Sequence, residues 1–269
     1  MRFIFLGTGG GRFVMAKQLR RTAGFVVRSG KTLVHVDPGP GALVYLNKTV
    51  GDPGKLSAVL VSHAHLDHAH DVAVLVEGMA DGGRRKRGIL IGSDCAINGS
   101  EEFLPVIGKY HRDMLEQVVA AEPGQDFQIG DLRVYTTPTW HNEPSGVGFT
   151  FSDGSYTVSY LSDTGYTEEL GKELRRLKPD AVIFNLIFDG ETRVPHTNMD
   201  TVRSVLSEVS PQMVLLQHFG ARITMRRMEN RLAKRIEQEF GVRTIALRDG
   251  DVVDFPPPKQ KERRIDEFI

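Results

Sequence analysis

The chain has 269 residues, 40% of them hydrophobic, which is enough to bury a sizeable core as one large α/β domain or two small ones. Lysine plus arginine number 34 and aspartate plus glutamate also number 34, so no net field draws in nucleic acid or a membrane surface. Cys95 is the only cysteine, which excludes an intrachain disulfide and a cysteine-rich zinc framework and fits a reducing cytoplasm.

The opening MRFIFLG has too short an apolar run for a signal peptide, and no later stretch reaches the length of a membrane span. A cytoplasmic protein without a membrane partner is the expectation. Apolar runs of strand length then recur at 2–6, 24–29, 32–37, 58–62, 88–92, 132–137, 146–151, 156–162, 181–186 and 213–217. Most are rich in Val, Ile, Phe and Tyr and stop at Gly, Asp, Pro or Ser. GTGGGR (7–12) follows the first of them and invites a dinucleotide-binding reading. That fingerprint needs a third glycine where Arg12 stands and a βαβ unit behind it, whereas the residues that follow look strand-like. The glycines read instead as a tight turn of close approach.

Helical periodicity is expected at 70–80, 167–177, 198–209 and 224–239, and TEELGKELRRLKP opens on a Thr-x-x-Glu-like cap. The first half is mostly strands and the second alternates strand with helix, a pattern of two mixed sheets packed face to face with helices outside. The tail 256–269, PPPKQKERRIDEFI, reads as an extended and then charged surface appendage.

The chemistry concentrates in VSHAHLDHAH (61–70). His63, His65, Asp67 and His68 follow the buried-looking run AVLVS directly. If the chain stays extended past that strand, His63 and His65 point the same way, because strand side chains repeat every two residues. A turn into the next helix then swings Asp67 and His68 to a neighbouring point. The outcome is two imidazoles for one cation and a carboxylate plus an imidazole for a second, a donor set that suits zinc first, with manganese or iron as alternatives. An exposed polar turn is the bland alternative, but the further ligands that two ions need stand at later strand ends: His141 in TPTWHNEP, Asp163 in YLSDTG and His218 in LLQHFG.

With LGTGGG, HVDPG, SHAHLDH, LSDTG and QHFG in order, the chain resembles a metallo-β-lactamase-fold hydrolase over about residues 1 to 250. The resemblance implies an αββα sandwich as one domain over 1–255, with the site along one edge of the two sheets. It also implies that His63, His65 and His141 hold one metal, Asp67, His68 and His218 the other, with Asp163 bridging and a hydroxide between the ions as nucleophile. Asp37, in HVDPG, matches an early aspartate that supports such sites by hydrogen bonding. Asp67 and His196 are the candidate catalytic residues. In the ribonuclease Z group a histidine placed like His196, in PHTNMD, touches the scissile phosphate and can protonate the leaving oxygen; alternatively His196 caps the helix expected near 198.

YTVSYLSDTGYTEELGKELRRLKPDAVIFN also resembles the small phosphodiesterase of phosphonate breakdown, although that enzyme's cysteine-rich zinc insert is missing. His141 and Asp163 lie 22 positions apart, too close for the protruding substrate arm of tRNA-maturing enzymes. The expected activity is therefore a dinuclear metal-dependent phosphodiesterase on small nucleotide-like or cyclic phosphate esters. The alternatives are a thioester or lactone hydrolase on the same metals, a flavodiiron-type oxidoreductase, a nuclease, and a non-catalytic RNA-binding paralogue. A small phosphoester is the expected partner, nucleic acid the lesser one, and a second copy of the chain in a homodimer a further one. The basic stretches 82–88 and 221–235 contain no interleaved aromatics to stack bases. Asp71 stands where the family has glycine and either favours a helix dipole or orients a ligand histidine from behind. Trp140, beside His141, lines the pocket or merely packs. Substrate choice is expected to sit in the loops 10–22, 81–87 and 187–197.

Overall fold

The structure, a computed structural model, describes residues 1–256, so nearly all of the expected surface tail lies outside the described residues. All ten apolar runs form strands; most are buried on both faces, while β8 alternates buried and open residues, and each ends at or near a turn residue. β1 (Arg2–Phe5), β2 (Phe25–Ser29), β3 (Thr32–Val36), β4 (Ala58–Val61), β5 (Ile89–Ser93) and β6 (Gln117–Ala121) lie side by side in chain order, with β14 (Val252–Asp254) added beyond β1. The second sheet runs β7 (Asp126–Ile129), β8 (Leu132–Pro138), β9 (Val147–Ser152), β10 (Thr157–Tyr160), β11 (Ala181–Asn185), β12 (Met213–Gln217) and β13 (Arg243–Ala246). Each sheet has an antiparallel half and a parallel half: β3 to β6 are parallel in the first, β10 to β13 in the second. These are the two mixed sheets expected.

One apolar layer, including Phe3, Phe5, Phe25, Phe149, Phe151 and Tyr160, fills the space between the sheets. A second layer packs α2 (Ala42–Thr49) and α4 (Val72–Met79) on the outer face of the first sheet, and a third packs α7 (Glu168–Leu177), α8 (Met199–Glu208) and α10 (Glu229–Phe240) on the second. That completes the αββα order. Short helices α1 (Arg12–Lys17), α3 (Leu66–Ala69), α5 (Asp94–Asn98), α6 (Lys109–Arg112) and α9 (Ala221–Met225) sit in the connections. Among the described residues no helix is long and apolar enough to cross a membrane.

Several expectations need correction. After GTGGGR comes helix α1, not a strand-like stretch. The nucleotide reading still fails, because β2 pairs antiparallel with β1 and no βαβ unit forms. The helix expected over 70–80 forms as α4, with the unexpected short α3 just before it, whereas the one over 224–239 breaks at Arg227, which adopts a left-handed φ of 52°. α7 opens with the Thr167 hydroxyl accepting from the Leu170 amide, the one half of the box that the sequence supplies. Strands β6, β7, β13 and β14 carry no clear run because they are partly exposed and owe their form to pairing with a neighbour.

Candidate metal centre

The parallel strands bring their carboxyl ends to one edge, where ligands of open α/β sheets gather. β3 delivers Asp37, β4 delivers His63 and His65, β10 delivers Asp163 and β12 delivers His218. His141 follows β8, and the interval from there to Asp163 is taken up by the β9–β10 hairpin, with no arm. Asp37, Ser162 and His218 all adopt left-handed backbone, with φ of 49°, 61° and 55°. Three such non-glycine residues at strand ends around one site hold strain that the surrounding packing must enforce.

His63, His65 and His141 converge. His63 Nε2 lies 3.0 Å from His65 Nδ1, which lies 3.1 Å from His141 Nε2. The outer nitrogens settle the tautomers. His141 Nδ1 is 3.1 Å from the Pro195 carbonyl, which only accepts, so Nδ1 carries the hydrogen. The Ser62 hydroxyl donates to Asp37 at 2.7 Å and accepts from Ser162, so His63 Nδ1 must donate to it at 3.0 Å. Both inward Nε2 atoms therefore present lone pairs. Burial and the neighbouring His68 hold His63 well below its ordinary range, and burial with His141 brings His65 down to about 4. Three imidazoles aiming nitrogens at one point repel one another unless a cation sits between them, so this donor set fits a metal ion.

Beside it, Asp67, His68 and His218 form a second group, and Asp163 reaches toward both. His68 Nε2 and His218 Nε2 are 2.8 Å apart, Asp67 Oδ2 is 3.3 Å from His218, and Asp163 Oδ2 is 3.7 Å from His68. His68 Nδ1 donates to Asp37 Oδ2 at 2.9 Å, which turns Nε2 inward. Burial opposes charge on His68, but Asp163, Asp37 and Asp67 outweigh it and push the ring well above its ordinary range. Burial likewise works against charge on Asp163, yet His218 and His68 hold it well below the usual carboxylate range. Among the described residues no lysine or arginine pairs with Asp37, Asp67 or Asp163. Buried acids clustered around imidazoles demand positive charge, and a divalent cation supplies it.

The glycine-rich turn is a close-approach device. A Cβ on Gly10 would lie 1.9 Å from His218 Nδ1, and the Gly11 amide donates to Asp67 Oδ2 at 2.7 Å. Gly39 passes so near the Asp67 carbonyl that a Cβ would lie 2.2 Å from it. Asp37 accepts from the Ser62 amide and hydroxyl, from Tyr160 at 2.6 Å and from His68, the supporting role expected of it.

His196 stands at the edge of the cluster. Its ring centroid is 4.5 Å from that of His141 and its Nδ1 is 3.6 Å from Asp163 Oδ2, close enough to join those two as a further potential ligand group. Burial lowers its pKa to about 4 against the pull of Asp163. It does not cap α8: the Asn198 side chain does, accepting from the Thr201 amide. Asp71 touches no clustered histidine; it binds the exposed His70 and the Leu43 amide, tying α2 to the start of α4. Trp140 packs on Gly165, where a Cβ would lie 2.4 Å from its ring, and still exposes half its surface. The loop 81–87 is not at the site. Ile89 of β5 pairs with Ala58 at the start of β4, so this loop and its basic residues 84–87 lie at the edge opposite the histidines.

Reading the sequence missed Ser62, Glu143, Tyr160, Ser162, Asn185 and Gln217. Gln217 donates to Asn185, whose amide donates to Asp163 at 2.7 Å and Tyr160 at 3.0 Å. A polar residue closing an otherwise apolar strand, as in AVIFN and MVLLQ, was the available signal.

Comparison with known proteins agrees with this geometry. Residues 32–219 match the family described as the beta-lactamase superfamily domain. The uncharacterized protein MJ1374 of Methanocaldococcus jannaschii is 32% identical over 270 residues, covering 98% of this chain and 99% of its own. A ribonuclease Z of Methanosarcina mazei is 27% identical over 145 residues, 54% of this chain and 46% of its own. Among solved structures, the metallo-beta-lactamase fold protein YhfI of Bacillus subtilis aligns with a TM-score of 0.73 at 22% identity, over 94% of this chain and 99% of its own. Zn(2+)-bound PqqB of Methylobacterium extorquens aligns at 0.72 and 14% identity, over 94% and 100%. A diphosphatase of the PhnP family aligns at 0.69 and 16%, over 95% and 98%. With two mixed sheets, outer helices and a histidine–aspartate cluster at the sheet edge, the chain belongs to the beta-lactamase superfamily and has the metallo-β-lactamase fold.

Proposed function

We propose that the chain is a hydrolase that holds two divalent cations, zinc first among them, and cleaves small phosphodiesters. The observation that carries the reading is the pair of adjoining ligand groups, His63–His65–His141 and Asp67–His68–His218, with Asp163 between them. The first group would hold one ion, the second the other, and Asp163 both. When bound, two such ions activate water and neutralise charge developing on a phosphoryl group.

The protein's own groups do the rest. Asp37, Ser62 and Pro195 hold the Nδ1 atoms of His68, His63 and His141, so the Nε2 atom of each ring is turned toward the ions. His196 stands beside His141 with part of its ring open to solvent; an anionic phosphate beside it would raise its pKa from about 4 and let it supply the proton at the leaving oxygen. Exposed Leu66 and Trp140 neighbour ligand residues, Val194 is exposed in the stretch that carries His196, and Phe103 lies 5.6 Å from the His65 ring. That apolar rim favours a substrate with a flat or apolar group next to its phosphate. The filled interval between His141 and Asp163 supports a small substrate over a folded RNA. Likeness to the ribonuclease Z and the PhnP-family diphosphatase supports phosphorus over acyl carbon.

The test is hydrolysis of a chromogenic phosphodiester by protein reconstituted separately with zinc and with manganese, with His63→Ala as blank. Metal-dependent turnover is expected. His196→Ala should then lower kcat about 100-fold or more, within the range for general acid–base catalysis, and keep both ions. Loss of an ion in that variant would make His196 a ligand. Absence of turnover in protein shown to hold two ions, together with cleavage of a thioester or lactone, would replace the phosphodiesterase reading with acyl hydrolysis.

A further inference from the structure

Glu143 lies two residues past His141 in HNEPSG and is fully buried, at 0% exposure. It touches none of the clustered histidines. Its Oε1 accepts from the Ser145 amide at 2.7 Å and the Ser145 hydroxyl at 2.6 Å, and its Oε2 from the Ser93 hydroxyl at 2.9 Å and the Ala64 amide at 3.2 Å. Ala64 is the residue between His63 and His65, and Ser93 closes β5, so one side chain ties three strand-end loops together across the two sheets.

We propose that Glu143 is a positioning residue for the His63–His65–His141 ion site: a buried anion that pins the Ala64 peptide against the His141 loop and balances the charge of the ion. This rests on the reading that those histidines hold a cation. The chain from Ser62 to His65 belongs to no strand or helix, so no ladder bond fixes Ala64, and Glu143 supplies the missing acceptor. All four donors to Glu143 are neutral, and among the described residues no basic group pairs with it. A buried carboxylate with only neutral partners is stabilised by a nearby cation. Three imidazoles contribute no negative charge of their own; Asp163 is shared with the second group, and Asp37 hydrogen-bonds to His68 while Asp67 sits beside His68 and His218.

Glutamine cannot replace it. The two backbone amides, of Ala64 and Ser145, address different oxygens, so an amide nitrogen must face one backbone donor whichever way it is turned. The serine hydroxyls can reverse; the backbone cannot.

The experiment titrates zinc into metal-free full-length protein against a competing chelator, and records the visible spectrum of the cobalt-substituted form, for wild type, Glu143→Gln, Ser145→Ala and His65→Ala. Glu143→Gln is expected to keep one ion at wild-type affinity, to bind the other about 10–100-fold more weakly, and to show a changed cobalt spectrum. Activity should return when excess zinc is supplied, which a fold defect would not permit. Wild-type affinity for both ions and an unchanged spectrum would overturn the proposal. Should Glu143→Gln not fold, Ser145→Ala, which leaves the carboxylate in place, decides: a weaker shift in the same direction supports the role and none removes it. His65→Ala must lose an ion; if it retains two, the reading of the site fails, whereas a loss there with none in the Glu143 and Ser145 variants refutes only the positioning role.

Discussion

Exchanging Asp37 for asparagine changes one atom in a carboxylate that takes four hydrogen bonds: the Ser62 amide on Oδ1, and the Ser62 hydroxyl, Tyr160 hydroxyl and His68 Nδ1 on Oδ2. If the amide nitrogen takes the Oδ2 position, the hydroxyls can turn, but His68 Nδ1–H then meets a donor. To accept from that amide the ring would have to carry its hydrogen only on Nε2, the atom 2.8 Å from His218 that faces the proposed ion, and would lose the lone pair needed there. If the amide turns the other way, the buried Ser62 backbone N–H is left without an acceptor. Either arrangement leaves one buried donor unmatched, which costs about 1–3 kcal/mol of stability. In a protein of this size each kcal/mol moves Tm by roughly 2–4 °C, so a fall of several degrees is expected in metal-free protein. Affinity for the ion at His68 should fall about 10–100-fold, as for other residues that orient metal ligands. Thermal unfolding with a chelator present measures the first effect and zinc titration by competition the second. Asp37→Asn protein that binds two ions at wild-type affinity, with Tm unchanged, would refute the tautomer argument.

Two further outcomes follow from the packing. Gly10→Ala places a Cβ where His218 Nδ1 now stands 1.9 Å away, so the ring must move; one ion should be lost or weakened while the other remains, measured as bound metal per chain. His35 is buried, donates from Nε2 to the Ala23 carbonyl at 2.9 Å, and has its pKa lowered by burial to about 4. Because the folded value lies below the unfolded one, near 6.5, the unfolded chain takes up the proton first as pH falls. Stability is therefore intact above about pH 6.5 and declines toward pH 4, by about 3 kcal/mol in total from this group at 1.36 kcal/mol per pKa unit. His35→Gln should flatten the acid slope of urea-unfolding stability by nearly one proton, compared with wild type in the same chelating buffer; parallel slopes would contradict the assignment.

How much of this was written in the chain depends on how far each signal reaches. His63, His65, Asp67 and His68 are legible because four ligand types crowd one strand end, and a period of two puts alternate side chains on one face whatever the rest of the fold does. His141, Asp163 and His218 are legible as polar residues ending apolar runs, once the first motif has set the expectation. The ten strands seen as apolar runs share this local character: their apolar composition is itself the signal. Edge strands β6, β7, β13 and β14 lack it, since a half-exposed strand is specified by its neighbour as much as by its own residues.

Tertiary structure alone decided the rest. Glu143 is a polar residue of no distinction in the sequence and Asn185 is marked only by closing an apolar run; both gain their roles when segments distant in the chain meet, Ala64 with Glu143 and Asp163 with Asn185. The same holds for the tautomers of His63, His68 and His141, set by Ser62, Asp37 and Pro195, and for the left-handed turns at Asp37, Ser162 and His218. Local composition determines which residues can bind a cation and which segments are buried. Which nitrogen carries a hydrogen, and which buried charge faces which, depends on atoms within about 3 Å in space, and sequence distance says nothing about those.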